Sequence, residues 1–174
     1  MIGFILRWLF VLGLVASPAA AQPRPFEGKS GNLAARLILV DDLGGFWRTW
    51  RGPPPPKIRE TNTVTPFKPV HALLILTGCR AASNGKCNVG VTFSIMGPDK
   101  KTYGKGTTGT AYSGPPAKGT NLLASPGALT MKIEASDKPG PYLIQAVVTD
   151  RVTGARVTLR RGVIAGVPRK APTT

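Results

Sequence analysis

Apolar and polar positions divide this chain into stretches of different rhythm. Residues 8–15 form an apolar run behind Arg7, followed by the small residues Ala19, Ala20 and Ala21. The run falls short of the ~20 residues that a helix needs to cross a bilayer. Residues 1–21 therefore read as a secretory signal peptide cleaved before Gln22, in preference to a retained anchor. Residues 22–57 form an N-terminal arm. Its lead-in, residues 22–32, is polar without a period and is expected to be flexible. A first strand follows at residues 33–40, and Asp41-Asp42 then caps a short helical turn that reaches Trp50. Gly44-Gly45 weakens that helix. Within it Phe46 and Trp50 share a face at i,i+4 spacing, with Trp47 beside them. Pro53 to Pro56 follow as an extended polyproline spacer.

From residue 58 onward the pattern is one of short strands separated by turn chemistry. Residues 58–64 predict a modest strand, and residues 70–76 are nearly continuous in apolar side chains, as a strand buried on both faces would be. Val89, Val91, Phe93 and Ile95 alternate with Asn88, Gly90, Thr92 and Ser94, which gives one core face and one wet face. Residues 103–127 are rich in Gly, Thr, Ser and Pro and predict long loops with one short edge strand. Leu129, Met131 and Ile133 restore the alternation. Past a dense turn at residues 137–141, Tyr142, Ile144, Ala146 and Val148 share a face. After a turn through residues 150–154, Val157 and Leu159 point inward while Arg156, Thr158 and Arg160 point out. Residues 58–166 are thus expected to form the folded domain and residues 167–174 a basic tail. Seven or so strands without a long helix argue for an all-β antiparallel sandwich over a barrel or an α/β fold.

Charge adds a hint about partners. The formal net charge is +15 at pH 7, and the signal segment holds only Arg7 of it. Such a chain is drawn to anionic surfaces in a salt-dependent way; the plainer alternative is that charge only keeps an exported protein soluble. Lys100, Lys101 and Lys105 in one loop, and Arg151, Arg156, Arg160 and Arg161 on the last hairpin, are the candidate anion-binding residues. With the last strand at a sheet edge, Arg156 and Arg160 would project from one face about 13 Å apart at ~3.3 Å per residue. That spacing suits a repeating anionic polymer, and the same cations would also block edge-to-edge aggregation. Phe46, Trp47 and Trp50 either pack under the domain or form a partner-docking knob.

Export permits Cys79 and Cys87 to pair. Asn84-Gly85 between them is a hairpin-turn signal, so the disulfide is expected to tie the two arms of a β-hairpin. The spacing is not Cys-x-x-Cys, and two cysteines with one distant histidine do not complete a zinc shell. Gly104-Lys105-Gly106-Thr107-Thr108-Gly109 matches a dinucleotide fingerprint in letters only, because the Gly- and Pro-containing sequence behind it cannot open a helix. His71 is the single histidine, and no Gly-x-Ser-x-Gly elbow accompanies it. No catalytic residue, metal ligand or cofactor is expected.

The segment from Cys79 to Cys87 running into residues 89–95, the turn from Gly97 to Tyr103, and Lys138-Pro139-Gly140-Pro141-Tyr142-Leu143-Ile144 together resemble the immunoglobulin-like periplasmic modules of bacteria. The resemblance covers about residues 58–165. Tyr142 resembles the tyrosine near the start of the penultimate strand in such sandwiches, whereas a disulfide closing a hairpin departs from them. The resemblance implies a fold and a binding or structural habit, with no active site to carry over. The expectation is a periplasmic or secreted, non-enzymatic binding or accessory module of the bacterial cell envelope with an envelope protein as partner. The alternative is a basic surface that binds anionic polymers such as cell-wall polymers, lipid headgroups or nucleic acid.

Overall fold

A computed structural model describes residues 24–53, 55–119 and 121–166 of the chain. The expected signal peptide and the expected basic tail lie outside the described residues. The described chain is mostly β, with two sheets and one helix. The first sheet runs β1 (Glu27–Ser30), β2 (Leu33–Val40), β4 (Val70–Thr77), and β4 then pairs with both β7 (Leu123–Ala124) and β8 (Leu129–Met131). The second runs β3 (Thr63–Val64), β10 (Arg156–Ala165), β9 (Gly140–Asp150), β5 (Cys87–Met96) and β6 (Thr107–Gly114). Helix α1 (Leu43–Trp50) covers the outside of the first sheet.

Alternation along the strands builds the core. Leu37, Leu39, Leu74 and Leu76 of the first sheet meet Val89, Phe93, Ile144, Val148 and Leu159 of the second. The continuous apolar run in β4 has two destinations. Val70, Ala72, Leu74 and Leu76 enter the core between the sheets, while Leu73 and Ile75 join Ile38, Val40 and Phe46 beneath α1. The helix starts where expected: Asp42 is extended and its Oδ1 accepts from the Gly45 N–H at 2.7 Å. A Cβ at Gly45 would collide with that capping carboxylate, so the glycine that weakens the helix is also what lets the cap close on it.

Three expectations need correction. The lead-in is not a loose arm: residues 27–30 form β1, which pairs with β2 through a two-residue loop in which Gly31 takes a φ of 57°. Because β1 and β2 belong to the first sheet, the sandwich begins well before residue 58. The strand expected over residues 58–64 shrinks to β3, and it pairs in parallel with β10, so the sheets are not wholly antiparallel. The disulfide does form, but Cys79 follows β4 of the first sheet and Cys87 opens β5 of the second. It therefore closes the crossover between the sheets. The Asn84-Gly85 turn makes only a small local loop inside that crossover, held by the Ala82 N–H to the Lys86 carbonyl at 2.9 Å.

The two long sides of the sandwich differ. On one side Leu37 of β2 donates to the Phe26 carbonyl and Arg160 of β10 donates to the Pro25 carbonyl, both at 2.8 Å, so the lead-in stitches the sheets together. The Phe26 ring lies under the guanidinium of Arg161 at 4.5 Å and near that of Arg36 at 5.7 Å. Glu60 joins the two arginines, at 2.6 Å from Arg36 and 2.8 Å from Arg161. On the other side stand β6 and the interrupted pair β7 and β8. Between the last two, Ser125 bonds to Leu74 through both its backbone N–H and its hydroxyl.

Candidate functional site

The aromatic trio separates once the helix packs. Phe46 is buried at 4% exposure against the first sheet and is a core residue, which removes it from the docking candidates. Trp50 stacks on it with centroids 5.7 Å apart, and Trp47 meets it edge-on at 5.0 Å. Trp47 is half-buried and carries Arg51 over its ring at 5.8 Å. Trp50 is also half-buried, and it forms one wall of a groove.

That groove has a volume of about 690 Å³ and draws on three separate parts of the chain. Trp50, Pro55 and Pro56 come from the end of α1 and the proline segment, Tyr112 and Pro115 from the end of β6, and Leu122 and Leu123 from the start of β7. The Tyr112 hydroxyl donates to the Pro115 carbonyl at 2.9 Å, which fixes the ring at the rim of the sandwich. Leu122 is 52% exposed. Rigid prolines, two aromatic rings with polar tips and an open leucine make a surface suited to protein contact. Lys118 is the one charged side chain among the lining residues. The sequence singled out Trp50 alone of these. An isolated Leu122-Leu123 pair within a Gly-, Pro- and Thr-rich stretch was the signal for the rest.

The basic candidates do not converge. Arg151 lies flat over Gly90 and donates to Asn88 Oδ1 at 3.3 Å, beside the start of β5. Lys100, Lys101 and Lys105 follow the other end of β5, about 30 Å away by strand rise. Arg156 and Arg160 are exposed on the outer face of β10, as the alternation predicts, and Arg160 Nε donates to Gln145 Oε1 at 3.0 Å. Arg161 is only 14% exposed and is held by Glu60 and the Phe26 ring, so it belongs to the stitched side of the sandwich and not to an anion-binding row.

His71, Tyr103 and Asp42 have structural partners. His71 Nδ1 sits 3.0 Å from the Thr130 hydroxyl, and burial lowers its pKa below the ordinary histidine value. Tyr103 and Tyr142 meet edge-on at 5.1 Å. Burial first, and then the hydrogen bond and charge of Asp137, push the Tyr103 hydroxyl well above the ordinary tyrosine value. It donates to Asp137 Oδ2 at 2.7 Å. Asp41, Asp42, Lys57, Arg59 and Lys68 border a polar cleft of about 540 Å³ at the start of α1, with Asp42 already engaged in capping. Among the described residues no group of three His, Cys, Asp or Glu side chains is placed to hold a metal ion.

No family model matches the sequence, and no curated protein does. Among solved structures the chain is similar to the crystal structure of a CARDB domain from Pyrococcus furiosus in complex with di-metal ions. The two are 11% identical, the match covers 86% of this chain and 97% of that one, and the TM-score is 0.39.

Proposed function

We propose that the chain is an exported, non-enzymatic binding or accessory module of the bacterial cell envelope, an immunoglobulin-like sandwich that docks one protein partner in the groove of Trp50, Tyr112 and Leu122. The observation that carries this reading is the groove itself, where exposed apolar surface is framed by rigid aromatic and proline side chains. The immunoglobulin-like reading is supported by Tyr142, which lies near the start of β9, the penultimate strand, and donates to the carbonyl of Lys138 four residues upstream at 2.8 Å. Such a tyrosine corner is a habit of immunoglobulin-like sandwiches.

The test is capture of the partner from solubilised envelopes at high salt. Leu122→Glu, which alters only exposed surface, and Trp50→Ala should each weaken capture about tenfold or more, as loss of a docking anchor does. Undiminished capture by both variants would refute the groove. A second reading is supported by the exposed Arg156 and Arg160, which are free to meet an anionic polymer on the outer face of β10.

A further inference from the structure

We propose that β6 is a docking edge: it accepts an added β-strand from an acidic partner, an extended segment that seats an aliphatic side chain in the slit over Gly109. The inference shares with the groove reading the premise that the partner is a protein; β6 carries the groove's Tyr112 and runs toward Lys118 at its rim, whereas Gly109 and the slit beneath it lie apart from Trp50 and Leu122.

Strand β6 is eight residues long and ends the second sheet. Among the described residues, no strand and no backbone hydrogen bond covers its outer side. Sheet proteins normally protect such an edge with charge, proline, brevity or cover, and the other edges here show those devices. β1 has four residues and carries Glu27 and Lys29, β3 has two, and β7 and β8 have two and three. In a chain with 23 Lys and Arg, β6 has no charged residue and no proline.

Its inner face is also unfilled at Gly109. Gly109 lies opposite Val91, a core residue, and so faces inward, yet a Cβ built there would meet nothing within 4 Å. The space belongs to a slit of about 120 Å³ floored by Leu74, Val91 and Phe93 and bounded across the gap by Leu129. Its shape suits one aliphatic side chain from a strand laid along β6, which is how β-augmentation combines backbone pairing with a side-chain pocket.

Charge selects the occupant. Lys105 precedes β6 and Lys118 follows it, Lys100 and Lys101 share the loop leading in, and none of the four belongs to an ion pair among the described residues. An incoming strand with acidic flanks is complementary to them. A second copy of the mature chain, without Arg7, would bring a further formal charge of +14 to the same edge and is repelled.

The experiment titrates the mature chain with capped peptides that alternate valine and threonine between glutamates, with the same peptides bearing terminal lysines, and with glycine in place of valine. Amide hydrogen exchange is read by NMR. The acidic valine peptide should slow exchange at β6 amides, and the other two should bind about tenfold more weakly or worse. Gly109→Val puts a side chain into the slit from a Cβ that meets nothing within 4 Å, and Thr108→Lys charges the edge; each should weaken the acidic peptide about tenfold while the fold is kept. Trp50→Ala should leave peptide binding intact, so failure of this inference is distinguishable from failure of the groove reading. The proposal is overturned by absent β6 protection, by undiminished binding to Gly109→Val, or by β6 protection that grows with protein concentration in the absence of peptide, which would assign the edge to a second copy.

Discussion

The carboxylate of Asp150 accepts a hydrogen bond from the backbone N–H of Arg80 at 3.0 Å, and this bond ties the turn of the last hairpin to the crossover that carries the disulfide. The other oxygen accepts from the Val152 N–H at 2.9 Å, and the residue is only 1% exposed. Burial is the largest single influence on the carboxyl and pushes its pKa up. The bonds from Arg80, Val152 and Thr153 together outweigh it and hold the pKa below the usual carboxylate value.

A depressed folded pKa gives a stabilising contribution that is complete above the unfolded value of ~3.9 and is lost as pH falls through the folded value. Asp150→Asn should therefore unfold more easily at pH 7, by about 1–3 kcal/mol. Its stability should also decline less than that of the parent between about pH 5 and 2. Urea unfolding across that range measures both effects.

Glu60 is the joint of the stitched side. Removing it by Glu60→Ala leaves Arg36 and Arg161 facing one another across Phe26, and Arg161 is largely out of water. The expected cost is about 1–3 kcal/mol, below that of a fully buried pair because Arg36 is half exposed. Glu134→Ala, which breaks a surface pair with Lys132, should cost under about 0.5 kcal/mol. Hydrogen exchange at the Leu37 and Arg160 amides, which bond to the lead-in, should quicken in the first variant and not in the second.

Reducing the disulfide opens a short loop that joins one sheet to the other. Chain entropy for a bridge of sequence separation 8 sets the loss at about 2.5 kcal/mol. Cys79→Ser with Cys87→Ser should lower the thermal midpoint by the same amount as reductant lowers that of the parent. A midpoint insensitive to both would mean that Asp150 and the core hold the crossover unaided.

The two outward-facing arginines of β10, Arg156 and Arg160, have a narrower role than the charge of the chain suggests. Arg156→Ala with Arg160→Ala should reduce retention on a polyphosphate column and flatten its salt dependence, because both side chains are exposed on one face. Adding Arg161→Ala should instead lower stability, since that residue holds Glu60.

Much of the fold is legible wherever the signal is local. The alternation in β5, β9 and β10, the two-sided burial of β4 and the Asp42 cap all follow from neighbours a few residues away. β1 has no such pattern, because its place depends on Phe26 lying beneath Arg161, a residue far along the chain; the Gly31-Asn32 loop is its only local mark. The disulfide pairing was readable but its setting was not, since an Asn-Gly turn suggests a hairpin and says nothing about which sheet each arm enters. Trp50 stood out by its size, whereas Tyr112, Leu122 and the prolines acquire meaning only when three distant segments meet.

Site-specific photo-crosslinking in intact envelopes reads whether a protein partner seats in the groove of Trp50, Tyr112 and Leu122. A benzophenone side chain at position 122 should capture one dominant protein in the presence of high salt, while the same group at position 158, on the outer face of β10, should not. A smear of acidic species captured through position 158 and abolished by salt, with nothing specific through position 122, would contradict the account and assign the chain's associations to charge.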